Sequence, residues 1–500
     1  MPMSNENFFH VHEFKGVVLA GGADRMLNPL TKSMCKALLP VYNKPMIWYP
    51  LANLVRNRIR EIYVFCEEIY KESIKSYIDE AFKKDKILEN FGFDANYNQN
   101  INVIGIKDSS NLEIMGTWNT LVEYGHEYLK DSDFFVLTCD VIGQLDLLGL
   151  ANRHRLTQAV CSVLLVESDD LWNGKGDKTN KNGNNMSQTG AIGGISIELQ
   201  RGKNRSIFAL DEKKDIILFM KDYYSSKEED CVLELSKLQL FWHSNITLRT
   251  NLIDLHVYIF KSSIFKLENF LSGNQRINTI EYPEDGIDSI RLELIPYLAK
   301  MQHFPGSEYW GRSKFDCNNL LDDESSFSNK SEPCIYTKAN PPPSTEGTAV
   351  SYYIQNQKEK SCVRANTMLN YFECNMALSP LSNVYPEWLF RNGFSPEAGK
   401  EVGLGLNCNI GKSVQLKRCF IGNNVEIGDG SKIMNCIIMD NAVIGQKCII
   451  QNSIVGFNST VNNGCKVSYS IVNSEFQVEA NSKSQGEILE DREDFFEIKA

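Results

Sequence analysis

Between residues 404 and 472 the chain places an aliphatic side chain every five or six positions: Leu404, Ile410, Leu416, Ile421, Ile427, Ile433, Ile438, Ile444, Ile450, Val455, Val461, Val467 and Val472. The steps run six, six, five and repeat, and most six-residue steps end just before Gly or a small polar residue, as in NIGKS, FIGNN, EIGDG and VIGQK. Antiparallel strands joined by hairpins would alternate with period two, which this segment does not. Three steps instead close one triangular coil, so that Leu404 recurs as Ile421, Ile438, Val455 and Val472. This is the hexapeptide pattern of a parallel, left-handed β-helix, expected over 404–475.

Upstream the pattern is different. KGVVLAGG (15–22) reads as a buried strand running into a glycine turn, residues 45–57 as a helix, and REIYVFC (60–66) as the next strand. INVIGI (101–106), FFVLTCD (134–140) and AVCSVLLV (159–166) follow, separated by helical stretches such as TWNTLVEYGHEYL. This alternation predicts a Rossmann-like α/β domain over 1–305, its sheet mostly parallel with helices on both faces. Residues 168–190 and 306–348 are rich in Asn, Ser, Gly and Pro and too long for ordinary loops, so both are expected as flexible insertions. Residues 349–403 are then a connecting segment and 476–500 a short acidic tail.

Composition narrows the classes. With 500 residues, 42% hydrophobic and 23% charged, the chain is long enough for two or more cores, and it has no apolar run of about 20 residues to span a bilayer. The N-terminus MPMSNENFFHVHEFKG has neither a basic nor an apolar signal region, so a cytosolic protein is expected. Fourteen cysteines lie scattered in hydrophobic stretches without a CxxC pair, which predicts buried free thiols. Seven histidines do not pair with them at ligand spacings, so no metal site is expected. A formal charge of −11 argues against broad nucleic-acid binding and more readily accommodates a partner with basic surface.

The candidate chemistry lies near the start. VVLAGGADRMLNPLTKSMCKALLPVYNKPMIWYPL (17–51) resembles the sugar-nucleotidyltransferase signature LAGGxGTRLxPLT followed by PKPxxP. The resemblance implies that Gly21 and Gly22 wrap nucleotide phosphates, which glycine permits because backbone N–H groups can converge on them, and that an Arg and a Lys neutralise phosphate. Here Asp24 stands in the slot of the third glycine, Arg25 in the Thr slot and Met26 in the Arg slot, while Lys36 survives in Cys35-Lys36-Ala37 without its flanking prolines. Asp140, at the end of FFVLTCD, matches the family's Mg²⁺-binding aspartate; as bland readings, Lys36 and Arg25 are solvated charges and Asp140 a cap. The sugar-phosphate motif FVEKP corresponds to Phe219-Met220-Lys221-Asp222-Tyr223, so Asp222 replaces the phosphate-gripping lysine. The INAGIY turn corresponds to Ile253–Tyr258, where His256 replaces a glycine and should fill the sugar pocket. Gly21, Gly22, Arg25, Lys36 and Asp140 are therefore expected as a remnant nucleotide pocket, with Asp24, Met26, Asp222 and His256 as its degenerate positions. No catalytic residue and no cofactor is expected.

NKPMIWYPLANL (43–54), DFFVLTCDVI (133–142), LIDLHVYIFKSSI (252–264), SIRLELIPYLAKMQHF (289–304), CVRANTMLNYFECN (362–375) and the coil CIIMDNAVIGQKCIIQNSIV (436–455) resemble the gamma-subunit family of eukaryotic translation initiation factor 2B. That resemblance implies a non-catalytic subunit of the guanine-nucleotide exchange factor for initiation factor 2. Its implied partners are the catalytic epsilon subunit, the beta, delta and alpha subunits and initiation factor 2, with no direct nucleic acid and no membrane. The chain ends at Ala500, soon after the last aliphatic repeat at Val472, so the helical exchange domain of the epsilon sister is expected to be absent. Two alternatives stand beside this: a mannose-1-phosphate guanylyltransferase with drifted motifs, and a stand-alone nucleotide or sugar-nucleotide sensor.

Overall fold

The structure, a computed structural model, describes residues 13–22, 25–32, 34–84, 100–107, 115–167, 205–223, 235, 237–265, 276–277, 280–281, 286–302, 350–357, 362–376 and 402–490. The expected insertions 168–190 and 306–348 lie outside the described residues. Among the described residues no helix is long and apolar enough to cross a membrane.

Strand β1 (Phe14–Leu19) forms because both of its faces are apolar: Phe14 and Val18 join one core, Val17 and Leu19 the other. It lies between β2 (Glu61–Glu67) and β4 (Asp133–Thr138), parallel to both, and β3 (Asn100–Ile106) continues beyond β2, also parallel. The other half is built from β5 (Cys161–Glu167), β6 (Arg205–Asp211), β7 (Ile216–Tyr223), β8 (Thr247–Arg249), β9 (Leu252–Phe260) and β10 (Val350–Gln355), giving the order β8-β6-β7-β10-β5-β9-β4-β1-β2-β3. Here the sheet is mixed rather than mostly parallel. The turn at 212–215 is short enough to join only antiparallel strands, and β9 enters antiparallel to both β4 and β5.

Residues 349–403, expected as a connector, are corrected by β10, which runs parallel to β5 and sits between β5 and β7. Its VSYYIQ sequence is a short β-branched and aromatic run that buries Val350 and Tyr352, and the polar stretch before it disguises it. The same segment adds Cys362–Arg364, paired with Val141–Gly143, and a helix, Met368–Met376, that packs against the β-helix. Helix Trp48–Arg56 is buried along nearly its whole length, and the Asn53 side chain donates to Gly143 O (2.8 Å) and accepts from Leu145 N (2.9 Å), pinning the loop after β4.

In the β-helix every strand pairs with the equivalent strand of the next coil: Gln415 with Lys432, Lys432 with Ile449, Ile449 with Lys466 and Lys466 with Lys483. Ile421, Ile427, Ile433, Ile438, Ile444, Ile450, Val455, Val461, Val467 and Val472 all point into one core, as the repeat predicts. The expected tail 476–500 needs correction. Gln477–Val478, Lys483–Gln485 and Ile488–Leu489 continue the coil in register, hidden in the sequence because Ser484 fills an aliphatic slot. Residues 491–500 lie outside the described residues.

Each coil turns three corners, and every corner holds a residue with φ between 47° and 75°. The columns are 407/424/441/458/475, 413/430/447/464/481 and 418/435/452/469/486. This is the left-handed region, where Asn is the most tolerated residue after Gly. In the first column Asn407, Asn424, Asn441 and Asn458 also stack their side-chain amides, each Nδ2 donating to the next Oδ1 at 3.3, 3.1 and 3.0 Å.

One outer column of the β-helix, Phe420, Ile437, Ile454 and Ile471, shares a hydrophobic core with the α/β domain. Tyr42 meets Phe420 edge to face at 4.9 Å, and Asn43 Nδ2 donates to Ile421 O at 3.0 Å.

Candidate functional site

At the C-terminal end of β1, where an α/β sheet characteristically holds ligands, lies a cleft of about 680 Å³. Gly21 and Gly22 form its lip, and Gly22 has φ 116°, a conformation that favours glycine. Lys36 lines the same cleft. Met26 follows on the turn Arg25–Leu27, its side chain exposed while that of Leu27 is buried. Asp24 and the Arg25 side chain lie outside the described residues.

Behind the lip, the structure brings Lys36, Asp140, Asp222 and His256 into one charge cluster with side chains that sequence reasoning did not select. Asp140 is fully buried, and its carboxylate is already engaged: Lys36 Nζ and Arg364 Nη2 each lie 2.9 Å from Oδ2, and Thr138 Oγ1 donates to Oδ1 at 2.6 Å. Burial alone would push this carboxyl up; the Arg364 and Lys36 charges overcome that and hold it well below the usual carboxylate range. Burial would lower Arg364, but the pull of Asp140 outweighs it and pushes the guanidinium up.

The sugar side is filled in the same way. Arg291 Nη2 donates to Asp222 Oδ1 at 2.8 Å and to Ser206 Oγ at 2.9 Å, and Ser206 donates to the same Asp222 oxygen at 2.6 Å. Arg291 Nη1 lies 3.2 Å from His256 Nε2. An arginine only donates, so Nε2 accepts and the ring is the neutral Nδ1–H tautomer. Burial, with Arg364 and Arg291 nearby, holds His256 well below the usual imidazole range, in agreement with that tautomer. His256 itself has φ 56°, at a register shift in β9. It adopts a left-handed backbone of the kind glycine favours, held by its N–H donating to Asp254 Oδ1 at 2.8 Å, while its ring joins the cluster. Asp254 also accepts from the Tyr258 hydroxyl at 2.7 Å, and burial pushes its carboxyl up.

The residues present do not fit a divalent cation at Asp140. Both carboxylate oxygens already accept from Thr138, Lys36 and Arg364, and the surroundings include the neutral His256 imidazole and a second guanidinium, Arg291. Displacing Arg364 would leave a guanidinium in a low-dielectric site without its counter-ion. The side chains missing from the sequence expectation are Arg364, Arg291, Asp254 and Ser206. Three of them lie inside stretches already conspicuous in the sequence, LIDLHV, SIRLEL and CVRAN, but nothing in residue spacing says that an arginine 224 positions after Asp140 faces it.

Comparison with known proteins agrees with this division. Residues 15–171 match the family described as nucleotidyl transferase, and residues 382–484 match the left-handed β-helix (LbH) domain described for the epsilon subunit of EIF2B. The translation initiation factor eIF2B subunit gamma of Schizosaccharomyces pombe is 27% identical over 376 residues, covering 74% of this chain and 66% of that protein. Its Caenorhabditis elegans counterpart is 25% identical over 299 residues, covering 60% of this chain and 61% of that one. The matches thus span less than two thirds of those relatives' own lengths. A glucose-1-phosphate thymidylyltransferase of an Actinoplanes species is 54% identical, but only over 54 residues, or 11% of this chain. The chain is therefore similar to the gamma subunits of translation initiation factor 2B, and it is built from a nucleotidyltransferase-like α/β domain followed by a left-handed parallel β-helix.

Proposed function

We propose that this protein is a non-catalytic subunit of translation initiation factor 2B, promoting GDP/GTP exchange on initiation factor 2 by pairing with a catalytic epsilon subunit within a larger beta, delta and alpha assembly in the cytosol. The observation that carries the reading is the closed cluster around Asp140. A nucleotidyltransferase aligns a nucleotide, a sugar phosphate and a metal ion through charges left free for them. Here Lys36, Arg364 and Arg291 are matched by Asp140, Asp222 and Asp254, so the cations that would hold phosphate are engaged inside the protein.

Two measurements test it. Purified chain given sugar-1-phosphate, nucleoside triphosphate and Mg²⁺ is expected to form no nucleotide sugar above a denatured control; measurable synthesis would restore the transferase reading, which the thymidylyltransferase match and the open cleft favour. In fluorescent-GDP release from initiation factor 2, the chain alone is expected to be inactive, and the chain with epsilon faster than epsilon alone, because a paired scaffold holds the substrate factor in a productive pose. Acceleration by the chain alone, or no gain on adding it to epsilon, would sink the scaffold role.

A further inference from the structure

The outer faces of the β-helix differ in character. One is apolar and buried against the α/β domain. The face built from Gln415–Lys417, Lys432–Met434, Ile449–Gln451, Lys466–Ser468 and Lys483–Gln485 looks to solvent. Its outward columns read Gln415, Lys432, Ile449, Lys466, Lys483 and Lys417, Met434, Gln451, Ser468, Gln485, and the corner beside it adds Lys447. The columns contain no Asp or Glu.

All five lysines on or beside this face are exposed, and among the described residues none of their ammonium groups takes part in an ion pair or side-chain hydrogen bond. Lys466 and Lys483 face each other on adjacent rungs, and rungs of a sheet lie about 4.8 Å apart; like charges so placed destabilise it. Elsewhere this β-helix fills equivalent rungs with stacked Asn or aliphatic residues, so the lysine column is not a requirement of the coil. Half-buried Ile449 and Met434 lie among the lysines, giving the apolar centre and charged rim of a protein interface. The net charge of −11 suits a basic partner for the molecule as a whole, but this face has the opposite sign.

We propose that this face docks an acidic polypeptide segment, one that sets an aliphatic side chain on Ile449 and Met434 and rings it with carboxylates paired to Lys432, Lys447, Lys466 and Lys483. A nucleic acid fits less well: the face is a flat sheet surface, and its outward columns carry no aromatic ring for bases to stack on. The inference is independent of the proposed function.

The test uses the full chain and a fluorescent synthetic peptide of glutamates flanking two leucines, with a lysine-for-glutamate version and single-stranded poly(U) as the other arms. The acidic peptide is expected to bind wild type, weaken about tenfold or more in Lys432→Glu/Lys466→Glu/Lys483→Glu and severalfold in Ile449→Ser, and lose affinity with added salt. Lys432→Ala/Lys466→Ala/Lys483→Ala, which introduces no new charge, is expected to weaken it in the same direction and serves if the reversal variant does not fold. The proposal is overturned if the acidic peptide fails to bind wild type, if it binds wild type and both triple variants equally, if the basic peptide binds as well, or if poly(U) binds more tightly and is the ligand lost on charge reversal.

Discussion

Ile444→Asp is expected to unfold the β-helix, while Lys447→Asp, on the next corner, leaves stability within about 0.5 kcal/mol of wild type. Ile444 is 2% exposed and stacked in register between Ile427 and Val461. Removing a buried aliphatic chain of this size costs about 2 to 5 kcal/mol, and a carboxylate with no partner in that core adds its own desolvation penalty. The architecture amplifies the loss, because within the β-helix each coil pairs only with the coil on either side, so a broken central coil leaves two short stacks instead of one long one. Lys447 is exposed at a corner with φ 54°, a conformation that Asp tolerates well. Asn423 would be a poorer control, although it lies outside the core: its Oδ1 accepts from Leu406 N at 2.8 Å and its Nδ2 lies 3.2 Å from Asp440. Denaturant unfolding followed by far-ultraviolet circular dichroism reads the difference. Equal losses at 444 and 447 would refute the coil register.

Arg364→Met is expected to cost about 3 to 5 kcal/mol at neutral pH, since it leaves Asp140 buried with Lys36 as its remaining cationic partner. A distinctive pH signature should accompany the loss. In wild type the folded Asp140 carboxyl lies well below its unfolded value, so its contribution is present above about pH 4 and fades only as pH falls through the depressed folded value. Without Arg364, burial is less opposed and the folded carboxyl moves up. The unfolded chain titrates alike in both proteins and cancels, so the stability difference between variant and wild type is large at pH 7 and shrinks as pH falls through the variant's raised folded value toward the depressed wild-type one. A difference constant from pH 7 to pH 3 would mean that Arg364 acts by packing alone. Adding Asp140→Asn to Arg364→Met should recover part of the loss, because no unpaired buried carboxylate remains.

The β-helix is the most legible part of the chain, because its interior positions repeat once per coil and aliphatic side chains stack on like neighbours. The pattern does not reveal the corner rule: Asn407, Asn424, Asn441 and Asn458 read as ordinary polar residues until their shared left-handed φ is seen. Nor does it mark the true end of the coil, since Ser484 interrupts the aliphatic column even though Val478 keeps the spacing. In the α/β domain β1 through β5 can be read from continuous apolar runs. β10 cannot, since its place in the sheet depends on a partner far back along the chain, Cys161 opposite Val350. The candidate site is half readable for the same reason. Lys36 and Asp140 sit in motifs whose order along the chain carries their meaning, whereas Arg364 and Arg291 reach the cluster only through tertiary folding. The sequence says that His256 fills space; the structure adds that it is neutral, sits on a left-handed backbone and accepts a hydrogen bond from Arg291.

The central position of β10 also bears on the order in which this protein is made. When a ribosome has released the chain only as far as Met301, β5 and β7 still lack the strand that belongs between them, and each presents an unpaired edge. Such edges invite pairing with other chains. Asp140 at that moment also lacks Arg364. The α/β domain is therefore completed only after Val350–Gln355 and Arg364 emerge, and helix Met368–Met376, which then docks on the β-helix, follows at once. Translation thus delivers the strand that closes the sheet almost together with a second landing surface for the β-helix, added to Tyr42 and Asn43, so the sheet gains its last central strand just before the β-helix itself emerges.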